Sequence, residues 1–190
     1  MSIERVPERK AVLGASAVLA GGAILAQTWF MGWAVVGLDV ALVVSYALWA
    51  SRPAPVLPAR VLPVLIAACV VQVAHLTEEY RTGFQRAFPA LFGYAWEDRR
   101  FLTFNLVWLA VFAASAVAIA RRQRLGSLPA LFLALGGGIA NGLAHLVLAA
   151  RAGGYFPGAY TAPLCFVAGL LLLRRLLERP AGDPSRTERG

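Results

Sequence analysis

The chain has 190 residues, of which 59% are hydrophobic and only 15% charged, with a formal net charge of +8 and a mean hydropathy of +0.65. A soluble domain is roughly 45–50% apolar, so this composition excludes an ordinary soluble domain. The charges are bunched, and each charge-poor stretch between them reaches the roughly 20 apolar residues that cross a bilayer. The basic excess lies in short Arg clusters at predicted helix ends, as in loops held on the cytoplasmic side, so no nucleic-acid partner is expected. Cys69 and Cys165 fall in apolar segments without any CxxC or Cys/His spacing, which reads as small-residue packing.

In chain order, the apolar run Ala11 to Ala50 is about twice one span, so it predicts a helical hairpin turning near Gln27–Gly32. A cleaved signal peptide is the lesser alternative for the first 30 residues, since no polar segment follows the first apolar stretch. Ser51 to Pro58 is proline-rich and cannot continue a helix. A third span is predicted over Val61–Tyr80, then a polar and aromatic stretch Arg81–Arg100. The fourth covers Phe101–Ala120 and stops at Arg121-Arg122-Gln123-Arg124. The fifth covers Leu128–Ala150, a Gly/Pro turn spans Ala152–Gly158, and the sixth covers Thr161–Leu177. The tail from Arg179 to Gly190 is polar and reads as disordered. The expectation is an all-α, polytopic transmembrane bundle of about six spans. It divides into an N-terminal hairpin with its Pro-rich loop (1–59), a four-helix membrane domain (60–178) and a tail (179–190).

With the N-terminus inside, only Arg81, Arg86, Arg99, Arg100 and Arg151 of the 18 basic residues lie outside. That skew predicts both termini in the cytoplasm of a plasma (inner) membrane protein. Given this topology, the polar residues within spans gather in the outer halves: Gln27, Asp39, Gln72, His75, Glu78, Glu79, Asn105, Asn141, His145 and Thr161. The inner halves carry little beyond Ser16, Ser45, Tyr46 and Ser115. At 1.5 Å per residue, His75 and His145 each lie roughly 7–8 Å inside their outer ends, and Asp39 and Asn141 roughly 14 Å. A conduit needs polar lining along its whole length. A dead-end pocket open to one side fits better, and that shape suits an enzyme or a binding site.

His75 and His145 are the chain's two histidines. The run His75-Leu76-Thr77-Glu78-Glu79 is expected to aim an imidazole and two carboxylates the same way, because positions three and four apart on a helix share a face. Such ligands suit zinc, iron or manganese, and Glu/His pairs one turn apart build metal sites in helix bundles. Against that stands the reading in which the two acids only solvate a helix end, most applicable to Glu79. Asn141 and His145 pair one turn apart in the fifth span, with interhelical glue as the alternative role. Gly138 and Gly142 form a small-xxx-small spacing that admits a close neighbour. Asp39 reads as a third carboxylate or, slightly favoured, as a structural partner for an Arg. Phe84, Phe88, Leu91 and Phe92 at helical spacing, followed by Tyr94 and Trp96, read as an interfacial anchor, with a lid over the pocket as the sharper option.

Taken together, these motifs resemble the HXXEE domain family of small integral membrane proteins, whose three elements are HxxEE, NxxxH and PGxxT. All occur in order, as His75 to Glu79, Asn141 to His145, and Pro157-Gly158-Ala159-Tyr160-Thr161. The resemblance covers about Arg60–Leu177 and implies a shared site with no assigned activity. Within it, Pro157 and Gly158 make a turn, and Thr161 caps the sixth helix or offers its hydroxyl to the pocket. The leading expectation is a metal-dependent membrane enzyme acting on a lipid or other apolar small molecule. Its expected metal ligands are His75, Glu78, Glu79 and His145, its expected catalytic residues Glu78, Glu79, His145 and Asn141, and its expected cofactor a divalent Zn, Fe or Mn ion. A metal-free acid/base isomerase or cyclase, a transporter or binding protein, and an accessory subunit remain as alternatives.

Overall fold

The structure, a computed structural model, describes residues 6–52 and 56–178, and the described residues form helices joined by turns and short irregular stretches, with no strand among them. The expected disordered tail, and part of the Pro-rich loop, lie outside the described residues. The hairpin is formed by α1 (Val6–Met31) and α2 (Val36–Ala50), joined by a 3₁₀ turn at Trp33–Val35. Next come α3 (Pro58–Thr82), the short α4 (Phe84–Ala90) and α5 (Asp98–Ala120). The predicted fifth span is one long rod in three parts: α6 (Ser127–Phe132), a π-helical stretch Leu133–Ala140 and α7 (Asn141–Arg151). The last helix is α8 (Ala162–Leu177).

Five segments are long and apolar enough to cross a membrane: Lys10–Met31, Trp33–Ala50, Pro58–Thr82, Asp98–Ala120 and Arg124–Arg151. The sixth expected span exists as α8, but its 16 residues rise only about 24 Å, short of a hydrocarbon core of about 30 Å. It packs one face against α3, α7 and the π-helical stretch and leaves Leu164, Val167, Leu170 and Leu171 exposed on the other, as a sixth apolar helix of the bundle.

That packing is close because both partners lack side chains where they cross. A Cβ added to Gly138 would fall 2.6 Å from the Gly169 Cα, and one added to Gly142 would fall 2.8 Å from the Ala162 carbonyl oxygen. The small-xxx-small spacing therefore seats α8. The same Leu133–Ala140 segment carries the run Gly136-Gly137-Gly138, and the wider turns there re-phase Asn141 and His145 relative to α6. Sequence periodicity alone predicts a plain α-helix over this span. The π turns are the correction, and they are common beside functional sites.

Two apolar cores result. One, around Trp49, Leu65, Ile119, Leu133 and Leu172, fills the end of the bundle holding the α5–α6 connection. The other, around Met31, Val35, Phe84, Trp96, Phe101 and Phe156, fills the opposite end. The hydroxyls in the first half are spent on main-chain carbonyls: Ser16 on Val12, Ser45 on Ala41 and Ser115 on Gly126.

Candidate metal centre

At the second end, α3 and α7 touch through their polar residues. They run in the same direction, so His75 meets Asn141 and Glu79 meets His145 in ladder order. His75 Nε2 lies 2.8 Å from Asn141 Nδ2 and 3.3 Å from Glu79 Oε1. His145 Nε2 lies 2.9 Å from the same Glu79 oxygen. The two imidazoles meet edge-on with centroids 4.7 Å apart. All three side chains are sealed from solvent, with exposures of 0% for His75, 3% for Glu79 and 1% for His145. Their ligand atoms lie within 4.8 Å of one another, so the group could hold a metal ion.

Glu78 is placed differently. One residue along a helix is a rotation of about 100°, and Glu78 faces the loop ahead of α8. Its Oε1 accepts from the Tyr155 hydroxyl at 2.8 Å and the Tyr160 N–H at 3.0 Å. Its Oε2 accepts from the Thr161 N–H at 2.8 Å and the Thr161 hydroxyl at 2.5 Å. Burial and the neighbouring Glu78 carboxylate push the Tyr155 phenol above its usual range, so it remains a donor at neutral pH. Thr161 precedes α8 but makes no side-chain cap bond to it. Its hydroxyl accepts from His75 Nδ1 at 2.7 Å instead, and passes its own proton direction on to Glu78.

That chain of donors sets the His75 tautomer. With Nδ1–H donating to Thr161 and the Asn141 amide donating to Nε2, Nε2 carries no proton to offer Glu79 Oε1 beside it. Two acceptors then stand 3.3 Å apart with neither donating. A buried pair of this kind is costly unless a cation, proton or metal ion, lies between them. The outer carboxylate, hydroxyl and imidazole in line are also how metal-binding histidines are commonly oriented. His145 departs from that pattern, because its buried Nδ1 has no hydrogen-bond partner. It is packed against Gly158, where an added Cβ would come within 2.6 Å of Nδ1 and 2.4 Å of Cε1. Gly158 also has φ +90°, a conformation that favours glycine.

Glu79 and His145 open onto a cavity of ≈ 170 Å³ whose walls are mostly apolar and aromatic, with His75 behind them. Phe84, Phe88 and Trp96 come from the polar-aromatic stretch after α3, and Phe84 lies over His145 with centroids 5.0 Å apart. Trp96 Nε1–H donates to the Met31 carbonyl at 2.7 Å, and the Tyr94 hydroxyl accepts from the Ala34 N–H at 2.6 Å. The stretch is thus tied down over the cavity. Met31, Ala34, Val35 and Leu38 of the hairpin also form wall, a contribution for which the sequence carried no signal. Asp39 is outside the cavity. Its carboxylate accepts from Gln27 Nε2 at 2.5 Å and Thr28 Oγ1 at 2.7 Å, closing the hairpin, with no Arg partner among the described residues. Asn105 and Gln72 do line the cavity.

A family model described as "Protein of unknown function with HXXEE motif" matches residues 65–173. The chain belongs to this HXXEE family. The match spans every residue of the trio together with Glu78, Asn141, Gly158 and Thr161. No curated protein and no solved structure matches the chain.

Proposed function

We propose that this HXXEE protein is a metal-dependent membrane enzyme acting on an apolar small molecule or lipid. The observation that carries the reading is the buried group of His75, Glu79 and His145, whose potential ligand atoms gather within 4.8 Å of one another, with the Glu79 carboxylate shared by both imidazoles. Two imidazoles and a carboxylate suit zinc, iron or manganese. Ligand atoms about 2.0–2.1 Å from such an ion stand roughly 2.9–3.4 Å apart at ordinary coordination angles. The 3.3 and 2.9 Å edges fall in that interval. A bound ion would polarise a substrate oxygen or activate water. His75, Glu79 and His145 would hold it, and Asn141 would orient a ligand or substrate. Glu78 acts here as a positioning residue, through Thr161 on His75. The aromatic wall excludes water and binds the apolar body.

The 2.9 Å contact between His145 and Glu79 also favours a second reading, metal-free acid/base catalysis by that pair. Elemental analysis of the purified protein beside Glu79→Gln and His145→Ala separates the two. Stoichiometric metal in the wild type, lost in both variants, is expected. Metal-free wild type, purified without chelators and not loaded by Zn²⁺, Mn²⁺ or Fe²⁺, overturns the metal reading. We also place both termini in the cytoplasm, so that the trio lies toward the outer face. Reporter fusions at Arg122 and Arg151 should then report opposite sides, and fusions reporting the same side would remove that placement.

A further inference from the structure

Gln72 is 8% exposed, lines the cavity, and makes no hydrogen bond to any described residue. An amide without a protein partner that faces an apolar cavity is costly to keep, and it has the room to act, because Gly137 opposite has no side chain. A Cβ there would fall 3.2 Å from Gln72 Oε1. Gln72, Leu76 and Glu79 follow i, i+4, i+7 spacing, so they form one stripe of α3 facing the cavity. From α5, Asn105 also faces it, with its N–H₂ donated to the Phe101 carbonyl at 2.9 Å and its carbonyl oxygen free of any described partner.

From this we infer that Gln72, with Asn105, is a second polar station in the cavity. It binds an oxygen function on a compact aromatic or alicyclic substrate whose other oxygen sits at Glu79, His145 and Asn141. The inference rests on the proposed function for its first station only. The two stations are seven residues apart on α3, an axial rise of about 10 Å, which a two-ring body spans once the reach of the side chains is included. The volume agrees: ≈ 170 Å³ slightly exceeds an engineered cavity of about 150 Å³ that holds benzene. It takes one or two rings. An amide both donates and accepts, so hydroxyl and carbonyl functions are both admitted, whereas a hydrocarbon end leaves Gln72 unpaired.

The test uses 2,6-dihydroxynaphthalene and 2-naphthol, titrated calorimetrically into detergent-solubilised wild type and Gln72→Met, with metal content measured on the same samples. Comparing the ratio of the two dissociation constants between proteins cancels partitioning into micelles. Wild type should favour the diol by roughly three- to tenfold, the range of one buried hydrogen bond, and Gln72→Met should abolish the preference while retaining its metal. Because Gln72 bonds to no described residue, methionine should preserve packing; the wild-type ratio tests the proposal even if that variant misfolds. Equal affinity for both probes in metal-loaded wild type, or a preference unchanged in a folded Gln72→Met, overturns the second station and leaves the metal centre standing. A diol preference lost in Gln72→Met in metal-free protein supports the station and removes the metal.

Discussion

Two polar clusters are buried in the apolar bundle, one in the hairpin and one between α3 and α7. At Asp39 both carboxylate oxygens meet a donor, Gln27 or Thr28, and the loose end is Gln27 Oε1. The cluster fastens α1 to α2 and lies outside the aromatic cavity. Around Glu79 the reverse holds. Acceptors face one another, His145 Nδ1 is unpartnered, and an aromatic cavity opens beside the group. Polar residues inside a membrane segment are therefore not equivalent. Depth and residue type place both clusters on a list of functional hypotheses, but only an unbalanced arrangement asks for something to bind.

The largest test of this contrast is to remove a member of the trio. His75→Ala, Glu79→Gln and His145→Ala should each lower metal affinity by more than about 100-fold, beyond the 10–100-fold typical of outer-shell changes. The helical circular dichroism should be unchanged. Retained metal in all three would make the Glu79 cluster as structural as that of Asp39.

Gly158→Ala comes next. The new methyl meets the His145 ring, and the φ of +90° is strained for alanine. A loss of roughly 1–3 kcal/mol is expected, read as a lower unfolding midpoint together with weakened metal binding. A variant of unchanged stability and metal content would show that Gly158 does not hold the imidazole.

Thr161→Val removes the hydroxyl between His75 and Glu78 while leaving the α8 backbone uncapped as before. Metal affinity should fall by about 10–100-fold, and Glu78→Gln should fall within the same range. If Glu78→Gln instead matches Glu79→Gln, then Glu78 is a ligand and the difference between the two neighbouring acids disappears.

The smallest functional effect belongs to Asp39→Asn. It weakens charge-assisted bonds worth roughly 1.5–3 kcal/mol at most, so thermal stability should fall while metal content stays at the wild-type level. Loss of metal in this variant would couple the hairpin to the centre and erase the contrast.

The amino-acid order by itself determined the all-helical character and the presence of helices long and apolar enough to cross a membrane, because apolar runs of span length leave little alternative. It also singled out His75, Glu79, Asn141, His145 and Thr161, since polar groups are conspicuous in such segments. The proline and glycine of the third motif marked a turn. Three-dimensional packing decided the rest. Glu78 and Glu79 are chemically alike and about 100° apart on α3, and which one enters the bundle depends on the rotation of α3 against α7 and α8. That rotation is set by contacts distant in sequence, such as Gly138 on Gly169. The π turns at Leu133–Ala140, the hairpin's share of the cavity wall and the unpaired state of Gln72 have the same origin. Each depends on which side chains meet across helices, and helical periodicity within one segment carries no record of its neighbours.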